Sequence, residues 1–235
     1  MRQSSFDFGE GSILSELRDR LLAVFGPQRD AQRFDPLSQL VYGILASKTK
    51  DAVSMAAFEH LRRRCHSWEA LLHAAPRAIE RVIATVNHAD RKAEDLPRAL
   101  RMIRARTGAL DLDFLADWDV EAVLQWLDGL PGVGPKIAAT VLNFSSLRMR
   151  VLAVDTHLLR VGERLGILRA GADYQQAYDG YARLLPEDWD ADALYELHWL
   201  IKRLGQRYCR PTLPACGVCP LREACPSRGL SPAAA

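Results

Sequence analysis

A lysine directly follows a glycine-rich turn in the segment LPGVGPK, residues 130–136. Gly132 and Gly134 allow a tight turn that exposes main-chain N–H groups, and Pro135 suits the first position of a following helix. Such N–H groups at a helix N-terminus bind anions, including a phosphate of a nucleic-acid backbone, without reading base sequence. Lys136 is one of only five lysines among 31 basic residues, which makes its position informative. For the turn alone, a plain connection between two helices is the alternative.

An aspartate stands in the segment AVDTH, residues 153–157, nineteen positions after Lys136. Asp155 precedes a helical pattern and is therefore an expected N-cap. A carboxylate close to a lysine can also tune the amine and stabilise a developing cation. We expect His157 to make a structural hydrogen bond, and a direct role in chemistry is the alternative.

Four of the five cysteines lie within seventeen residues and have the spacing Cys-x6-Cys-x2-Cys-x5-Cys: Cys209, Cys216, Cys219 and Cys225. A protein in a reducing compartment does not normally hold such residues as disulfides, so a metal or a cluster is expected. Four thiolates bind either a [4Fe–4S] cluster or a tetrahedral zinc. Structural zinc sites usually use two close pairs, and only the middle two cysteines form one, which favours the cluster. Cys65 is interpreted as an ordinary buried thiol.

Helices must position these groups, because apolar residues recur at helical spacing along most of the chain. Such a run extends from Ile13 to Phe25, and Asp35-Pro36 is typical of an N-cap followed by proline. Further helices are predicted at 90–105, 119–128, 135–146, 155–166, 174–185 and 190–207. Pro97 predicts a kink or a later start in the first of these. Val151–Val154 is interpreted as a buried extended link, since no partner strand is evident.

The chain of 235 residues is 49% hydrophobic and 26% charged, with a formal net charge of +2. This composition is ordinary for a globular protein and excludes a disordered tail, a collagen or a coiled coil. The sequence contains no run of ~18 apolar residues, so no membrane span is expected. The first residues lack the apolar segment of a secretion signal. Residues 200–228 carry six basic residues and one acidic residue. This excess predicts a basic face for a polyanion, with a solvated helix face as the alternative.

Taken together, LPGVGPK, VDTH and the four-cysteine tail resemble the endonuclease III group of the helix-hairpin-helix DNA glycosylases. The resemblance extends from about residue 12 to residue 225, in the family's order and spacing. It implies an all-α fold with two lobes and a lesion pocket in the cleft between them. One lobe would be a six-helix barrel at residues 32–150, which carries the helix-hairpin-helix. The other would be an iron–sulfur cluster domain formed by residues 1–31 and 151–235.

The resemblance also implies a bifunctional DNA glycosylase/AP lyase of base excision repair, which removes oxidised pyrimidines from duplex DNA and cleaves 3′ to the abasic site. Lys136 matches the family's nucleophile, whose amine attacks C1′ of the flipped nucleotide and forms a Schiff base before β-elimination. Asp155 matches the family's aspartate, which would help deprotonate Lys136 or stabilise the positive sugar. Gly132, Val133 and Gly134 match the hairpin that grips a backbone phosphate.

A [4Fe–4S] cluster on the cysteines is the cofactor that the resemblance implies, with the ligands Cys209, Cys216, Cys219 and Cys225. It would shape a loop for DNA and respond to redox conditions without performing the hydrolytic chemistry. The expected partner is double-stranded DNA that contains damaged bases or abasic sites. We expect a monomer that does not bind membranes and that acts in the cytoplasm, associated with the nucleoid.

Two residues depart from the family's pattern at positions that fill the gap left by a flipped nucleotide. Lys48 stands where the family usually has glutamine, and His88 stands where it usually has leucine. These departures keep open a second hypothesis, a damage-binding protein with weak or altered glycosylase activity on mismatches or other lesions. Related enzymes that remove mispaired adenine typically lack a lysine after the hairpin, so Lys136 argues against that class. A redox or structural module without DNA would leave the hairpin unexplained.

Overall fold

The computed structural model describes residues 13–29 and 33–229. Over these ranges the chain forms eleven α-helices, two short 3-10 helices and no strand, which confirms the all-α fold class. The α-helices are α1 (Ile13–Phe25), α2 (Pro36–Ala46), α3 (Asp51–Cys65), α4 (Glu69–His73), α5 (Pro76–Val82), α6 (Ala89–Thr107), α7 (Val120–Asp128), α8 (Pro135–Phe144), α9 (Thr156–Leu165), α10 (Tyr174–Ala182) and α11 (Ala191–Arg207). The 3-10 helices span Asp113–Asp117 and Cys216–Val218. Among the helices in these ranges, none has the length and apolar character needed to cross a membrane.

The chain divides into two compact units. One comprises residues 33–151 and contains α2 to α8. The other comprises residues 13–29 together with residues 152–229, and it contains α1, α9, α10 and α11. The second unit is therefore discontinuous in sequence, because the N-terminal helix packs with the C-terminal ones.

Helix α2 forms the middle of the unit of residues 33–151. Asp35 accepts a hydrogen bond from the Ser38 N–H at 2.8 Å and Pro36 begins the helix, as the sequence predicts. Most of the helix is buried, and it contacts α3, α6 and α8. Gly43 permits the close approach of α8, because a Cβ at this position would lie 2.9 Å from Cγ2 of Ile137. Helix α8, whose second residue is Lys136, is thus held against the core.

Helix α6 corrects one expectation. The sequence predicts a kink or a later helix start at Pro97, but one continuous helix runs from Ala89 to Thr107, so the later start is wrong. A proline inside a helix removes one backbone hydrogen bond and costs ~3 kcal/mol when nothing compensates. Pro97 is itself buried beside Leu96 and Leu100, and this apolar packing offsets the lost bond.

The other unit has its own apolar core, to which α1, α9, α10 and α11 all contribute. A buried carboxylate on α11 ties the N-terminal segment to this core: Glu196 accepts hydrogen bonds from Arg18 Nε at 2.9 Å and from the Gln28 N–H at 3.1 Å. Val151–Val154 is buried and forms neither helix nor strand, as expected for a buried link. This link leads directly into Asp155 and α9.

Candidate active site

The hairpin of residues 129–134 joins α7 to α8. Gly132 adopts φ = 74°, a left-handed conformation that favours glycine. The Val133 N–H donates to the Leu130 carbonyl at 3.1 Å, which closes the turn. Gly134 is the N-cap of α8 and brings no capping side chain. An N-terminus without a side-chain cap is the arrangement that an anion-binding helix end requires.

Lys136 is the second residue of α8 and is half-buried. The residues that follow it, from Ile137 to Asn143, are all buried, so the helix position that carries the amine is fixed by core packing. Lys136 belongs to the unit of residues 33–151, whereas Asp155 belongs to the other unit. The role of Lys136 as nucleophile stays a prediction.

Asp155 is the N-cap of α9 and is only 3% exposed. Its Oδ1 accepts hydrogen bonds from the His157 N–H at 2.7 Å and from the Leu158 N–H at 3.0 Å. The N-cap that the sequence predicts is therefore present. The buried charge also acts on two phenols of α10: burial raises the pKa values of Tyr174 and Tyr181, and the nearby carboxylate raises them further.

His157 makes a structural contact of the kind that the sequence favours. Its Nδ1 lies 3.0 Å from Nη2 of Arg160, so the imidazole accepts a hydrogen bond there. Arg160 also donates from Nε to the Cys209 carbonyl at 2.8 Å and from Nη2 to the Gly205 carbonyl at 3.0 Å. A Cβ on Gly205 would lie 2.6 Å from the same imidazole nitrogen. The imidazole is thus packed between α9 and α11.

All five predicted DNA-binding residues line one cleft in the unit of residues 33–151: Lys48, His88, Gly132, Val133 and Gly134. The cleft encloses about 810 Å³, including its open mouth. Lys48 lies in the turn of residues 47–50 (the Lys48 turn), and His88 lies in the turn of residues 86–89 (the His88 turn). Lys48 has φ = 53° and His88 has φ = 56°, so both residues have a left-handed backbone conformation. The structure thus brings together three segments that lie up to 86 positions apart in sequence.

The cleft also contains three charged residues of α6 to which the sequence analysis assigned no role: Arg91, Lys92 and Asp95. With Lys48 they give the cleft an excess of positive charge, which suits a phosphate backbone. A signal for Lys92 was present in the sequence, because it precedes Leu96 and Leu100 at helical spacing on the face that becomes buried. A lysine on an apolar stripe indicates a buried and hydrogen-bonded amine.

The basic face predicted for residues 200–228 stays a prediction, because Lys202 is buried whereas the other five basic residues are exposed: Arg203, Arg207, Arg210, Arg222 and Arg228. Lys202 is 9% exposed, and its Nζ lies 4.4 Å from the centroid of the Trp199 ring. Two arginines of the tail approach Glu223, with Arg222 Nε at 3.8 Å and Arg228 Nη1 at 3.6 Å. Glu223 is shared by these two arginines, so the exposed residues of this segment keep an excess of positive charge.

The four clustered cysteines line one cavity of about 380 Å³, including its opening. Arg164 donates from Nη1 to Cys209 Sγ at 3.3 Å. Burial raises the pKa values of the Cys219 and Cys225 thiols. No three His, Cys, Asp or Glu residues in the described ranges are grouped closely enough to hold a single metal ion. Four thiolates around a cavity fit a multi-iron cluster, in which each iron would take one thiolate, better than they fit one ion.

A family match decides the affiliation of the chain. The family described as HhH-GPD superfamily base excision DNA repair protein matches residues 41–187, more than half of the sequence. The chain belongs to the HhH-GPD superfamily. The match covers the hairpin, Lys136 and Asp155, and it ends before the cysteine tail.

Relatives within this superfamily confirm the resemblance to endonuclease III. Endonuclease III-like protein 1 of Gallus gallus is 29% identical over 185 residues, which cover 78% of this chain and 61% of that protein. Endonuclease III of Rickettsia prowazekii is 25% identical over 217 residues, which cover 90% of this chain and 95% of that protein. The chain spans less of the plant relative, 47% of the chloroplastic endonuclease III homolog 2 of Arabidopsis thaliana, at 30% identity.

Solved structures share the fold. A trapped endonuclease III–DNA covalent intermediate superposes with a TM-score of 0.76 at 20% identity, covering 91% of this chain and 94% of that one. A thermostable thymine-DNA glycosylase superposes with a TM-score of 0.70 at 19% identity, covering 92% of this chain and 94% of that one. The same fold thus occurs in structures that are named for different activities on DNA, so the fold alone does not identify the substrate.

Proposed function

We propose that the protein is a DNA glycosylase with AP lyase activity, which acts in base excision repair on oxidised pyrimidines in duplex DNA. The observation that carries this proposal is the position of Lys136, the second residue of a core-anchored helix, directly after a hairpin without a side-chain cap. The hairpin would bind one phosphate through main-chain N–H groups, and the amine would face the sugar of that strand.

The chemistry assigns one role to each charged group. The Lys136 amine attacks C1′, the N-glycosidic bond breaks, and the base leaves with the bonding electrons and takes up a proton. The open sugar and the amine then form a Schiff base. Loss of a C2′ proton drives β-elimination, in which the 3′ phosphate leaves. Asp155, a buried anion, would stabilise the cationic sugar or accept the proton of the amine.

We further propose that Cys209, Cys216, Cys219 and Cys225 hold a [4Fe–4S] cluster, since all four line one cavity. Such a group supplies electron-transfer chemistry and crosslinks its loop. Arg164 and Arg160 hold the first ligand residue through Cys209 Sγ and the Cys209 carbonyl. The loop is thereby attached to α9, the helix that Asp155 caps.

A second candidate function is a damage-binding protein with weak or altered glycosylase activity. The observation that favours it is the pair Lys48 and His88, which face the cleft where the endonuclease III group usually offers glutamine and leucine. We propose in either case that the protein acts as a monomer on nucleoid DNA in the cytoplasm. Light scattering of the protein with and without an abasic duplex measures the number of chains in the complex.

Borohydride trapping tests the proposal. The wild-type protein should form a covalent adduct with abasic duplex DNA, and Lys136→Ala should abolish it while retaining most of the binding, because the hairpin contact is main-chain. Lys50→Ala is the matched control, since Lys50 is an exposed lysine of the same unit. Tight binding without any wild-type adduct would favour the damage-binding function. An undiminished adduct in Lys136→Ala would identify another nucleophile, and Lys48 would be the first to examine. A panel of oxidised, mismatched and alkylated bases then defines the lesion.

A further inference from the structure

Lys92 on α6 is a buried lysine whose three ammonium protons all have acceptors. Its Nζ donates to the Leu45 carbonyl at 2.7 Å, to the Ser47 carbonyl at 2.7 Å and to Thr49 Oγ1 at 3.1 Å. The side chain is only 6% exposed, although the residue lines the cleft. One amine is therefore hydrogen-bonded both to the end of α2 and to the turn that follows it.

The position of this amine has a local cause. Helix α2 ends at Ala46, and the last carbonyls of a helix lack partners within the helix. A cation at a helix C-terminus satisfies such carbonyls and interacts favourably with the helix dipole. Burial lowers the pKa of Lys92 to about 8, so the amine is still mostly protonated at neutral pH and keeps its three donors.

A second bridge joins the same turn to the start of α6. The Asn87 N–H donates to Thr49 Oγ1 at 3.2 Å, and the Asn87 side-chain amide donates from Nδ2 to the Lys48 carbonyl. Thr49 Oγ1 thus accepts from both Lys92 and Asn87. Hydrogen bonds from Asn87 and from Lys92 therefore join the Lys48 turn to the residues on either side of His88.

These bonds support two unfavourable backbone conformations. Lys48 and His88 both have positive φ angles, which cost a non-glycine residue on the order of 1 kcal/mol each unless surrounding contacts maintain them. His88 immediately precedes α6 and Lys48 follows α2. Lys92 lies one helical turn after His88, and its amine binds Ser47 and Thr49 on both sides of Lys48. A single residue therefore ties the Lys48 turn to the helix that begins directly after His88.

We propose that Lys92 is a positioning residue that locks the Lys48 and His88 turns into one rigid unit, so that both side chains enter an opened DNA stack together. The proposal rests on the proposed function for its DNA step, and the lock itself concerns the free protein. Removing the lock should slow extrusion of a stacked base, which needs both turns, more than it slows Schiff-base formation at a sugar that is already accessible.

Lys92→Met tests this inference, because methionine keeps the apolar stem and removes the three donors. Lys50→Met is the control for loss of one lysine charge, because Lys50 is an exposed lysine beside the residues that Lys92 contacts. Asn87→Ala is the second variant, since Asn87 is exposed and its loss does not threaten folding. The readouts are 2-aminopurine fluorescence beside a base-paired lesion, single-turnover base release, borohydride trapping on single-stranded abasic DNA, and amide hydrogen exchange of residues 47–50 and 86–89.

We expect Lys92→Met and Asn87→Ala to reduce stack opening and base release about tenfold, which corresponds to about 1.4 kcal/mol, and to leave single-strand trapping nearly unchanged. Exchange should rise in both turns together. The proposal is overturned if fluorescence and exchange match those of Lys50→Met, or if trapping falls as much as base release. If the wild type forms no adduct but Lys92→Met still raises exchange in both turns, the lock stands and the proposed function fails.

Discussion

Gly132 of the hairpin lies directly against Asp95 of α6. A Cβ on Gly132 would stand 3.0 Å from Cβ and 3.2 Å from Oδ2 of Asp95, and the residue also has φ = 74°. Both the available space and the backbone conformation therefore require glycine. The same contact sets the hairpin beside the cleft that Asp95 and Lys48 line.

Gly132→Ala should consequently destabilise the protein by about 1–2 kcal/mol, because alanine is strained at positive φ and meets a neighbouring side chain. Urea unfolding followed by circular dichroism measures the change. Gly134→Ala is the matched control. Gly134 has an extended backbone, and a Cβ there meets nothing within 4 Å. If both variants lose stability equally, the close contact with Asp95 does not explain the need for glycine.

Substitutions of Asp155 should separate capping from chemistry. An asparagine side chain at this position would still accept the two N-cap hydrogen bonds, whereas alanine would not, so Asp155→Ala should cost about 1 kcal/mol of stability and Asp155→Asn much less. Both variants should lose base release, because neither carries a negative charge. Thermal unfolding and single-turnover kinetics check the two parts. Full activity in Asp155→Asn would restrict the residue to capping.

The residues at the two turns should determine which substrates are processed well. Lys48 and His88 form a polar pair where the family usually has glutamine and leucine, and such a pair replaces lost stacking poorly. His88→Leu, with or without Lys48→Gln, should raise base release from stacked lesions several-fold and change strand cleavage at abasic sites less. Single-turnover rates on both substrates measure this. A loss specific to the stacked lesion would show that the two residues are functional replacements.

Lys92 should give a pH-dependent stability. Its pKa is about 8 in the folded chain and ordinarily 10.5, so between these values the unfolded chain binds a proton that the folded chain has lost. The free energy of unfolding of the wild type should therefore rise with pH from about 8 to 10.5, relative to Lys92→Met, by on the order of 1.4 kcal/mol per unit of pKa shift.

Other groups in the cleft, namely Lys48, His88, Arg91 and Asp95, are present in both proteins, and so is Tyr42, whose raised pKa acts in the opposite direction. The difference between the two proteins therefore isolates Lys92. Parallel stability curves from about pH 7 to 10.5 would show that the amine keeps its ordinary pKa.

Metal analysis tests the cysteine cavity. Anaerobically purified protein should be brown and contain about four iron atoms per chain. Cys216→Ser should lose the colour and the iron and loosen the loop around Cys209, Cys219 and Cys225. Stoichiometric zinc without iron would contradict the proposed cluster.

Much of this protein follows from short-range patterns in its sequence. Asp35 and Asp155 are recognisable as caps, because capping depends on a side chain and N–H groups two or three residues away. The glycine spacing of the hairpin and the spacing of the four cysteines are equally local. The helical spacing of apolar residues predicts the all-α class, and the family match over residues 41–187 decides the superfamily affiliation.

Tertiary structure decided what depends on distant partners. Pro97 continues a helix because buried neighbours compensate for the missing hydrogen bond, and Lys202 is withdrawn from solvent by Trp199. The role of Lys92 arises from carbonyls 45 and 47 positions earlier in the chain. The helical spacing of Lys92 with Leu96 and Leu100 indicates a buried amine, but it does not identify the acceptors. Those partners have no local signature, because the energy of the contacts comes from pairing and burial that exist only when α2 and α6 have packed together.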